Sequence, residues 1–214
     1  MTVVITGASR GIGAALAAGY RARGDEVIGT GRSAAAELQL DVARPASHAD
    51  MAAALGGRSV DLLVCNAGVY LDKGHALESG FGADLWAQTF AVNVTGVFLS
   101  IQALLPHLRR AKAAKIAIIS SQMASTELAP GGSYIYRASK AAALNLGRNL
   151  ASDLKGEGIA VGIYHPGWVQ TDMGGDSAAI EAEASASGLM ARFDMLDLAH
   201  TGCFETWDGR AHPM

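Results

Sequence analysis

Apolar runs of strand length alternate with helix-length segments along this chain. The strand-like runs are nearly continuous in hydrophobicity, as expected for parallel strands that are covered on both faces. They lie at 2–7, 26–31, 37–42, 61–68, 115–121 and 160–167, and 202–209 could add a last strand at the edge. The helical segments lie at 11–23, 48–57, 82–109, 134–156 and 180–196. This order predicts an α/β fold with a doubly wound, mostly parallel sheet flanked by helices on both faces.

One connection is too short for this scheme. Only residues 33–36 separate Arg32 from Glu37, whereas a crossover between parallel strands usually needs about a dozen residues. Either this crossover has lost its helix, or 37–42 forms only a short strand at the sheet edge.

Composition limits the class of protein. The chain has 214 residues, half of them hydrophobic, and no linker-like segment, so we expect a single domain over 1–214. The net charge of -3, without a block of like charges, argues against nucleic-acid or membrane binding. No positively charged leader follows Met1, and we expect no window that approaches the roughly 18 apolar residues of a membrane span. These features predict a soluble, cytoplasmic protein.

Isolated cysteines and scattered histidines argue against a metal or CxxC redox site. Cys65 and Cys203 are far apart in sequence, and the six histidines show no HxxxH or HxH spacing. We therefore predict no bound metal.

Glycines supply the first chemical signal. In "TGASRGIG", Gly7, Gly11 and Gly13 lie between the first strand and the first helix. Backbone N–H groups at such a turn can approach a pyrophosphate at the helix N-terminus. The spacing is GxxxGxG, which differs from the GxGxxG dinucleotide fingerprint, so the order strand, glycine turn, helix carries the prediction. The predicted dinucleotide site also includes Ser9, Arg10 and Ile12.

The end of the second strand indicates which dinucleotide is bound. An acidic residue there would hold a ribose 2′-hydroxyl, but this chain has Gly31 followed by Arg32. Arg32, Arg10 and the Ser33 hydroxyl could instead bind a 2′-phosphate, which predicts NADP(H) over NAD(H). The alternative is that both arginines are solvated surface residues.

Two tyrosines open the helix predicted at 134–156, and one has a lysine at helical spacing. Tyr136 and Lys140 are four residues apart and share a helix face, whereas Tyr134 has Ala138 at that offset. An ammonium beside a phenol favours the phenolate and should bring a tyrosine pKa of about 10 closer to neutral. Tyr136 is therefore the candidate for proton transfer.

Six motifs together identify a family. In chain order they are TGxxxGxG, "NAG", Asn93, "ISS", YxxxK and "PGWVQT", and with them the chain resembles the short-chain dehydrogenase/reductase family over nearly its whole length. The resemblance implies a single-domain Rossmann fold. Within the family, "SSQMAS", "GGSYIYRASKAA", "TDMGG" and "FETWDGR" look like the branch of C-factor-like carbonyl reductases.

The resemblance also implies roles for individual residues. Tyr136 is expected to be the general acid in reduction and the general base in oxidation, and Ser121 to hydrogen-bond the substrate oxygen. Lys140 would hold the nicotinamide ribose and assist Tyr136. Asn93 would organise a water relay to the lysine, although a helix asparagine satisfied by backbone is the simpler interpretation. Further cofactor contacts are expected from Asp41, Val42, Asn66, Ala67, Gly68, Pro166, Gly167, Val169 and Thr171.

The resemblance leaves two functional hypotheses and several expectations. The first hypothesis is an NADP-dependent carbonyl reductase or alcohol dehydrogenase; the second is a dinucleotide-binding regulatory or signalling protein with incidental catalysis. A short substrate lid is expected near 172–181, and a small carbonyl or alcohol as substrate. Family members commonly form homodimers or homotetramers, which we also expect here.

Overall fold

Seven parallel strands form one sheet in the computed structural model, which describes residues 1–33 and 36–214. The strand order is β3-β2-β1-β4-β5-β6-β7. The strands are β1 (Thr2–Ile5), β2 (Glu26–Gly31), β3 (Leu38–Gln39), β4 (Leu62–Cys65), β5 (Lys115–Ile119), β6 (Ala160–His165) and β7 (Phe204–Thr206). The helices are α1 (Gly11–Ala22), α2 (Pro45–Leu55), α3 (Ala83–Phe90), α4 (Gly96–Leu108), α5 (Tyr134–Lys155) and α6 (Ala182–Met195). The predicted doubly wound α/β fold is confirmed.

Helices cover both faces of the sheet, which explains why the central strands are nearly continuous in hydrophobicity. Val3 and Ile5 of β1 pack with α1 and α6 on one face, whereas Val4 packs with α2, α4 and α5 on the other. Neighbouring strand residues point to opposite faces, so a strand covered on both sides needs apolar side chains throughout. The chain therefore places its polar chemistry at the carboxyl edge of the sheet.

The short connection after β2 leads into a short strand at the sheet edge, which was the second alternative given above. Residues 34 and 35 lie outside the described residues, and the described neighbours on either side form no helix. Within 37–42 only Leu38 and Gln39 pair with β2, so a full strand over 37–42 is wrong. The Gly29 N–H of β2 lies beyond this pairing and donates to the Glu37 carboxylate at 2.7 Å. A side chain thus satisfies a backbone group that a longer β3 would have paired.

The segment predicted as one helix over 82–109 contains a turn of π-helix, Ala91–Thr95, between α3 and α4. The helical stretch Ala83–Leu108 is 26 residues long, with a mean hydropathy of 1.5 in its best window. By length and composition alone it could span a membrane, so the expectation that no window approaches this limit is wrong. Val97, Ile101 and Leu104 pack in the core against the sheet, and 39% of this window is buried, so core packing accounts for part of its apolar composition.

Helix α2 begins at Pro45, earlier than the predicted residue 48. Proline suits the first turn of a helix because the N–H that it lacks would have no intrahelical partner there. The other helices begin and end within a few residues of the predicted limits.

Gly147 sets how closely α5 approaches the sheet. A Cβ at this position would lie 2.6 Å from Ile163 Cγ1 and 3.0 Å from Ile118 Cδ1, both in the core. We expect Gly147→Ala to lower the free energy of unfolding by about 1–3 kcal/mol because the core must shift to admit the methyl group. Urea unfolding measures this, with Gly156→Ala at the open end of the same helix as the control. Equal stability of the two variants would contradict the packing described.

Candidate functional site

The turn between β1 and α1 has the backbone shape of a phosphate-binding loop. Gly7 and Gly11 have φ of 69° and 54°, a region that favours glycine. A Cβ on Gly13 would collide with the Gly7 carbonyl oxygen and would lie 2.5 Å from Asn66 Nδ2. Glycine is therefore required at all three predicted positions.

Asn66 and Thr6 hold this turn against the loop that follows β4. The Asn66 Nδ2 donates to the carbonyl oxygens of Thr6 and Gly7, each at 3.0 Å. In return, the Thr6 Oγ1 accepts the backbone N–H groups of Asn66 and Ala67, also at 3.0 Å. Asn66 and Ala67, both expected to contact the cofactor, thus shape the glycine turn directly. Thr6 completes this hydrogen-bond network, and its sequence signal is the "TG" that opens the motif.

The N-terminus of α1 suits a dinucleotide phosphate. Arg10 occupies the N-cap position without a side-chain cap, and no acidic residue lies in the first turn. The positive end of the helix and its N–H groups therefore face the glycine turn without competition from a local carboxylate. Ser9 and Ile12 lie in the same turn, and the Ser9 Oγ packs against Gly31 at the end of β2.

The proposed 2′-phosphate residues lie at the surface near the end of β2. Arg32 and Ser33 are exposed there, whereas Arg10 forms an exposed ion pair with Asp172. An exposed pair contributes little to stability, so Arg10 can exchange Asp172 for another anion at small cost. Arg10 thus already has an acidic partner, Asp172, which a bound phosphate would have to replace.

Asp41 and Val42 lie between β3 and α2, with different roles. Asp41 Oδ1 accepts the backbone N–H of Ala43 at 3.1 Å, which makes a local turn. Val42 is buried, and its carbonyl oxygen lies 3.0 Å from the His48 Nε2. Gly96 of α4 allows Val42 to approach, because a Cβ there would lie 2.7 Å from the Val42 carbonyl oxygen.

The segment after β6 reaches the glycine turn. Gly167 has a φ of 90°, and the Pro166 carbonyl oxygen accepts the Ser185 hydroxyl at 2.6 Å. Val169 is buried and bridges to Ile180, which closes the loop between them. Thr171 accepts the Gly174 N–H at 3.1 Å, and its methyl lies 3.1 Å from where a Gly11 Cβ would stand. The structure therefore brings Thr171, the last residue of "PGWVQT", against the glycine turn.

Tyr136, Lys140 and Ser121 meet where α5 crosses the end of β5. All three side chains are buried. Lys140 Nζ donates to the Ile119 carbonyl oxygen at 2.9 Å and lies 5.7 Å from the centre of the Tyr136 ring. Ser120 points elsewhere and donates to the Lys140 carbonyl oxygen at 3.0 Å. The alternation of the strand thus leaves Ser121, and not Ser120, beside the phenol.

Burial, not the lysine charge, dominates the ionisation of this site. Desolvation raises the pKa of Tyr136 to about 12, a hydrogen bond with Ser121 opposes the rise, and Tyr70 and Asp72 add to it. Burial also lowers the pKa of Lys140 to about 8. We expected Lys140 to bring the pKa of the phenol towards neutrality. In the protein without cofactor this is wrong, because burial removes water from both groups and raises the pKa of the phenol.

Asn93 lies in the π-helical turn, and both polar atoms of its side chain have protein partners. Its Nδ2 donates to the Val69 carbonyl oxygen at 2.9 Å and to Ser139 Oγ at 3.0 Å, while its Oδ1 accepts the Val69 N–H at 2.9 Å. The two bonds to Val69 fit the simpler interpretation of Asn93, the bond to Ser139 adds a side-chain partner, and the water relay stays a prediction. Single π turns inside helices often mark functional sites. A Cβ on Gly68 would lie 3.4 Å from both Asn93 Oδ1 and Lys140 Nζ, so Gly68 keeps open the space between them.

The loop after β4 contributes two residues that sequence reasoning missed. The Tyr70 ring stacks on the Tyr136 ring with 4.2 Å between centroids. Asp72 is fully buried and accepts backbone N–H groups at the start of α5. Neither belongs to a motif, and their contacts join residues more than sixty positions apart. Tyr134, in contrast, is 40% exposed and meets the Phe81 ring edge-on.

A cavity of about 370 Å³ lies at the segment that follows β6. Gln122, which follows Ser121, lines it together with Gly167, Trp168 and His165. Burial lowers the pKa of His165 to about 4, so this imidazole is neutral near pH 7. Within residues 1–33 and 36–214, no group of three or more His, Cys, Asp or Glu side chains is placed to hold a metal ion.

The buried Lys140 amine should destabilise the fold. Its pKa falls from 10.5 to about 8 on folding, so the folded protein holds this proton less tightly than the unfolded chain. The destabilisation is complete below about pH 8 and disappears as the pH rises towards about 10.5. We expect Lys140→Met to raise the free energy of unfolding near pH 7 by about 1–3 kcal/mol, with a smaller gain near pH 10.

Urea unfolding at the two pH values measures this effect. Lys155→Met, at the exposed end of the same helix, is the matched control and should change stability little. A Lys140→Met protein that is less stable than wild type near pH 7 would contradict a desolvated ammonium.

The chain is similar to known proteins over its whole length. It is 39% identical to C-signal of Myxococcus xanthus over 72% of this chain and 92% of that protein. It is 33% identical to 1-hydroxy-2-glutathionyl-2-methyl-3-butene dehydrogenase of Rhodococcus sp. (strain AD45), over 97% of each. The structure superposes on NADPH-bound carbonyl reductase from chicken fatty liver with a TM-score of 0.91 and 27% identity, covering 100% of this chain and 98% of that one.

The family model described as short chain dehydrogenase matches residues 1–182. This range contains the glycine turn, Asn93, Ser121, Tyr136, Lys140 and the "PGWVQT" segment. Both the motifs and the fold agree with this match, and the chain belongs to the short-chain dehydrogenase/reductase family.

Proposed function

We propose that this protein transfers a hydride between NADP(H) and a small carbonyl or alcohol, with Tyr136 as the proton donor and acceptor. The observation that carries the proposal is the buried group of Tyr136, Ser121 and Lys140 beside the segment that meets the phosphate loop. The carbonyl reductase and the dehydrogenase named above support the reaction class. The substrate itself, a cytoplasmic location, the lid and assembly into a dimer or tetramer stay predictions from the sequence.

The residues present fit the dinucleotide. The glycine turn has the backbone shape that close approach of a pyrophosphate requires, and the uncapped end of α1 favours an anion. Gly167, Val169 and Thr171 would hold the nicotinamide end. When bound, NADPH supplies the hydride, and the protein's contribution is to orient the reacting groups.

Tyr136 and Ser121 would act together on the substrate oxygen. In reduction the phenol donates its proton to that oxygen, and the Ser121 hydroxyl supports the oxygen by a hydrogen bond. A pKa raised to about 12 keeps Tyr136 protonated near neutral pH, which is the form that an acid needs. In oxidation the same phenol must lose its proton, so alkaline pH favours that direction.

Lys140 and Asn93 would complete the path of the proton. A pKa of about 8 lets the Lys140 amine gain or lose a proton near neutral pH. The space kept open by Gly68 lies between Lys140 Nζ and Asn93 Oδ1 and has polar atoms on both sides. A water molecule there would be held by polar partners, which supports the predicted relay.

NADP(H) is the proposed cofactor over NAD(H). Arg32 is exposed after Gly31, in the place where an acidic residue would hold a ribose 2′-hydroxyl and repel a 2′-phosphate. The relation to an NADPH-bound carbonyl reductase supports this choice. A purely regulatory protein would have no use for an acid buried beside the predicted nicotinamide end, which favours the enzyme over the signalling alternative.

The first test removes the phenol. We expect Tyr136→Phe to lower kcat by about 10²–10⁴-fold, because the ring remains but no proton can be transferred, while NADPH binding is retained. Tyr134→Phe is the matched control and should keep most activity. The assay follows NADPH absorbance with a panel of aldehydes, ketones and quinones. Turnover by Tyr136→Phe close to that of wild type would refute the assigned mechanism.

The second test concerns the cofactor. We expect Arg32→Ala to weaken NADPH binding by about 10–100-fold, because a charge-assisted contact to the 2′-phosphate is lost, and to leave NADH binding unchanged. Fluorescence titration with both cofactors measures this. Arg110→Ala removes an exposed arginine that follows α4 and precedes β5, and it serves as the control. Tighter binding of NADH than NADPH by the wild type would overturn the assignment.

A further inference from the structure

Helix α5 carries Tyr136 and Lys140 but lacks a cap of its own. Its N-cap residue, Ser133, has a left-handed backbone with φ of 48° and makes no side-chain cap hydrogen bond. The first N–H groups of a helix have no intrahelical partner and require one when they are buried. Ile135 and Tyr136 are both buried, so their N–H groups need a partner from elsewhere in the fold.

Asp72, from the loop after β4, is that partner. Its Oδ2 accepts the Ile135 N–H at 2.8 Å, and its Oδ1 accepts the Tyr136 N–H at 3.2 Å. The Asp72 side chain is completely buried. A carboxylate at a helix N-terminus is stabilised by the helix dipole as well as by these charge-assisted bonds. The first turn of α5 is thus capped by a residue that lies 63 positions before Ile135.

The segment that carries Asp72 is itself anchored to the site. The Val69 backbone is held by Asn93, and the Tyr70 ring stacks on the Tyr136 ring. The Tyr70 hydroxyl also shares a hydrogen bond with Ser133, the residue before α5. Residues 69–72 therefore connect the π-helical turn to both the ring and the backbone of Tyr136.

We propose that Asp72 is a positioning residue for the reaction, whose buried carboxylate fixes the first turn of α5 and the placement of Tyr136 within the site. The proposal rests on the proposed function, in which Tyr136 transfers the proton. A second consequence follows from charge, since a carboxylate near a phenol opposes formation of the phenolate. The groups that act on the Tyr136 phenol are Ser121 from the end of β5, Tyr70 and Asp72 from the loop after β4, and Lys140 from α5 itself.

The test is the pH dependence of alcohol oxidation by Asp72→Asn. Asparagine keeps the shape and one acceptor oxygen but removes the charge. Because Asp72 helps to raise the pKa of Tyr136, its neutralisation should lower that pKa. We expect the rising limb of kcat against pH to move down by about one unit, together with a several-fold loss of kcat at its plateau.

Asp153→Asn makes the same charge change at an exposed site near the other end of α5 and should leave the pH profile unchanged. An Asp72→Asn profile with the wild-type midpoint would overturn the proposal, since a purely structural loss lowers kcat at every pH. If the wild type oxidises and reduces nothing, the proposed function fails, and the contacts of Asp72 are tested separately as follows.

Amide hydrogen exchange in the wild type tests the contacts without any substitution. The Ile135 and Tyr136 amides should be protected like those of the helix interior, although first-turn amides ordinarily exchange fast. Exchange as fast as that of the Tyr134 amide would overturn the capping role. This measurement also decides the case in which Asp72→Asn does not fold.

Discussion

The hydrogen bond from Lys140 Nζ to the Ile119 carbonyl oxygen is the contact on which the site depends. It joins α5 to the last residue of β5, and Ser120 reinforces the same joint by donating to the Lys140 carbonyl oxygen. Because the amine is buried, the bond holds at a place from which water is largely excluded. Ser121 comes next along the chain, so the joint also sets the distance between the hydroxyl and the phenol.

Desolvation has opposite effects on the two titrating groups of this site. It raises the pKa of Tyr136 and lowers that of Lys140, so each is displaced towards its neutral form. Near pH 7 the Tyr136 phenol is neutral and can donate its proton, whereas a pKa of about 8 leaves most of the Lys140 amine protonated and able to return a proton to the phenolate. The burial that costs the fold stability thus leaves both groups able to donate in the direction of reduction.

The two loops that frame the site are held by side-chain contacts to backbone groups. Asn66 and Thr6 bind the glycine turn, and Asn93 and Asp72 bind the loop after β4 and the start of α5. Such contacts satisfy buried backbone groups that no strand or helix pairs. At the other edge of the sheet, Glu37 does the same for the N–H of Gly29, where a crossover helix is absent among the described residues. At these places, polar side chains satisfy the backbone groups that strands and helices leave unpaired.

The features of this protein that depend on local order can be predicted from its residues alone. Continuous apolar strands predict a sheet covered on both faces, the glycine turn predicts a phosphate site, and the four-residue spacing selects Tyr136 with Lys140. Other features depend on contacts between distant parts of the chain and became visible in the fold. Asp72 and Tyr70 reach Tyr136 across more than sixty residues, and Asn93 in the π-helical turn bonds to the Val69 backbone 24 residues earlier. The direction of the Tyr136 pKa shift likewise required the structure, because desolvation depends on how completely other parts of the chain cover the phenol, and residue spacing carries no information about that coverage.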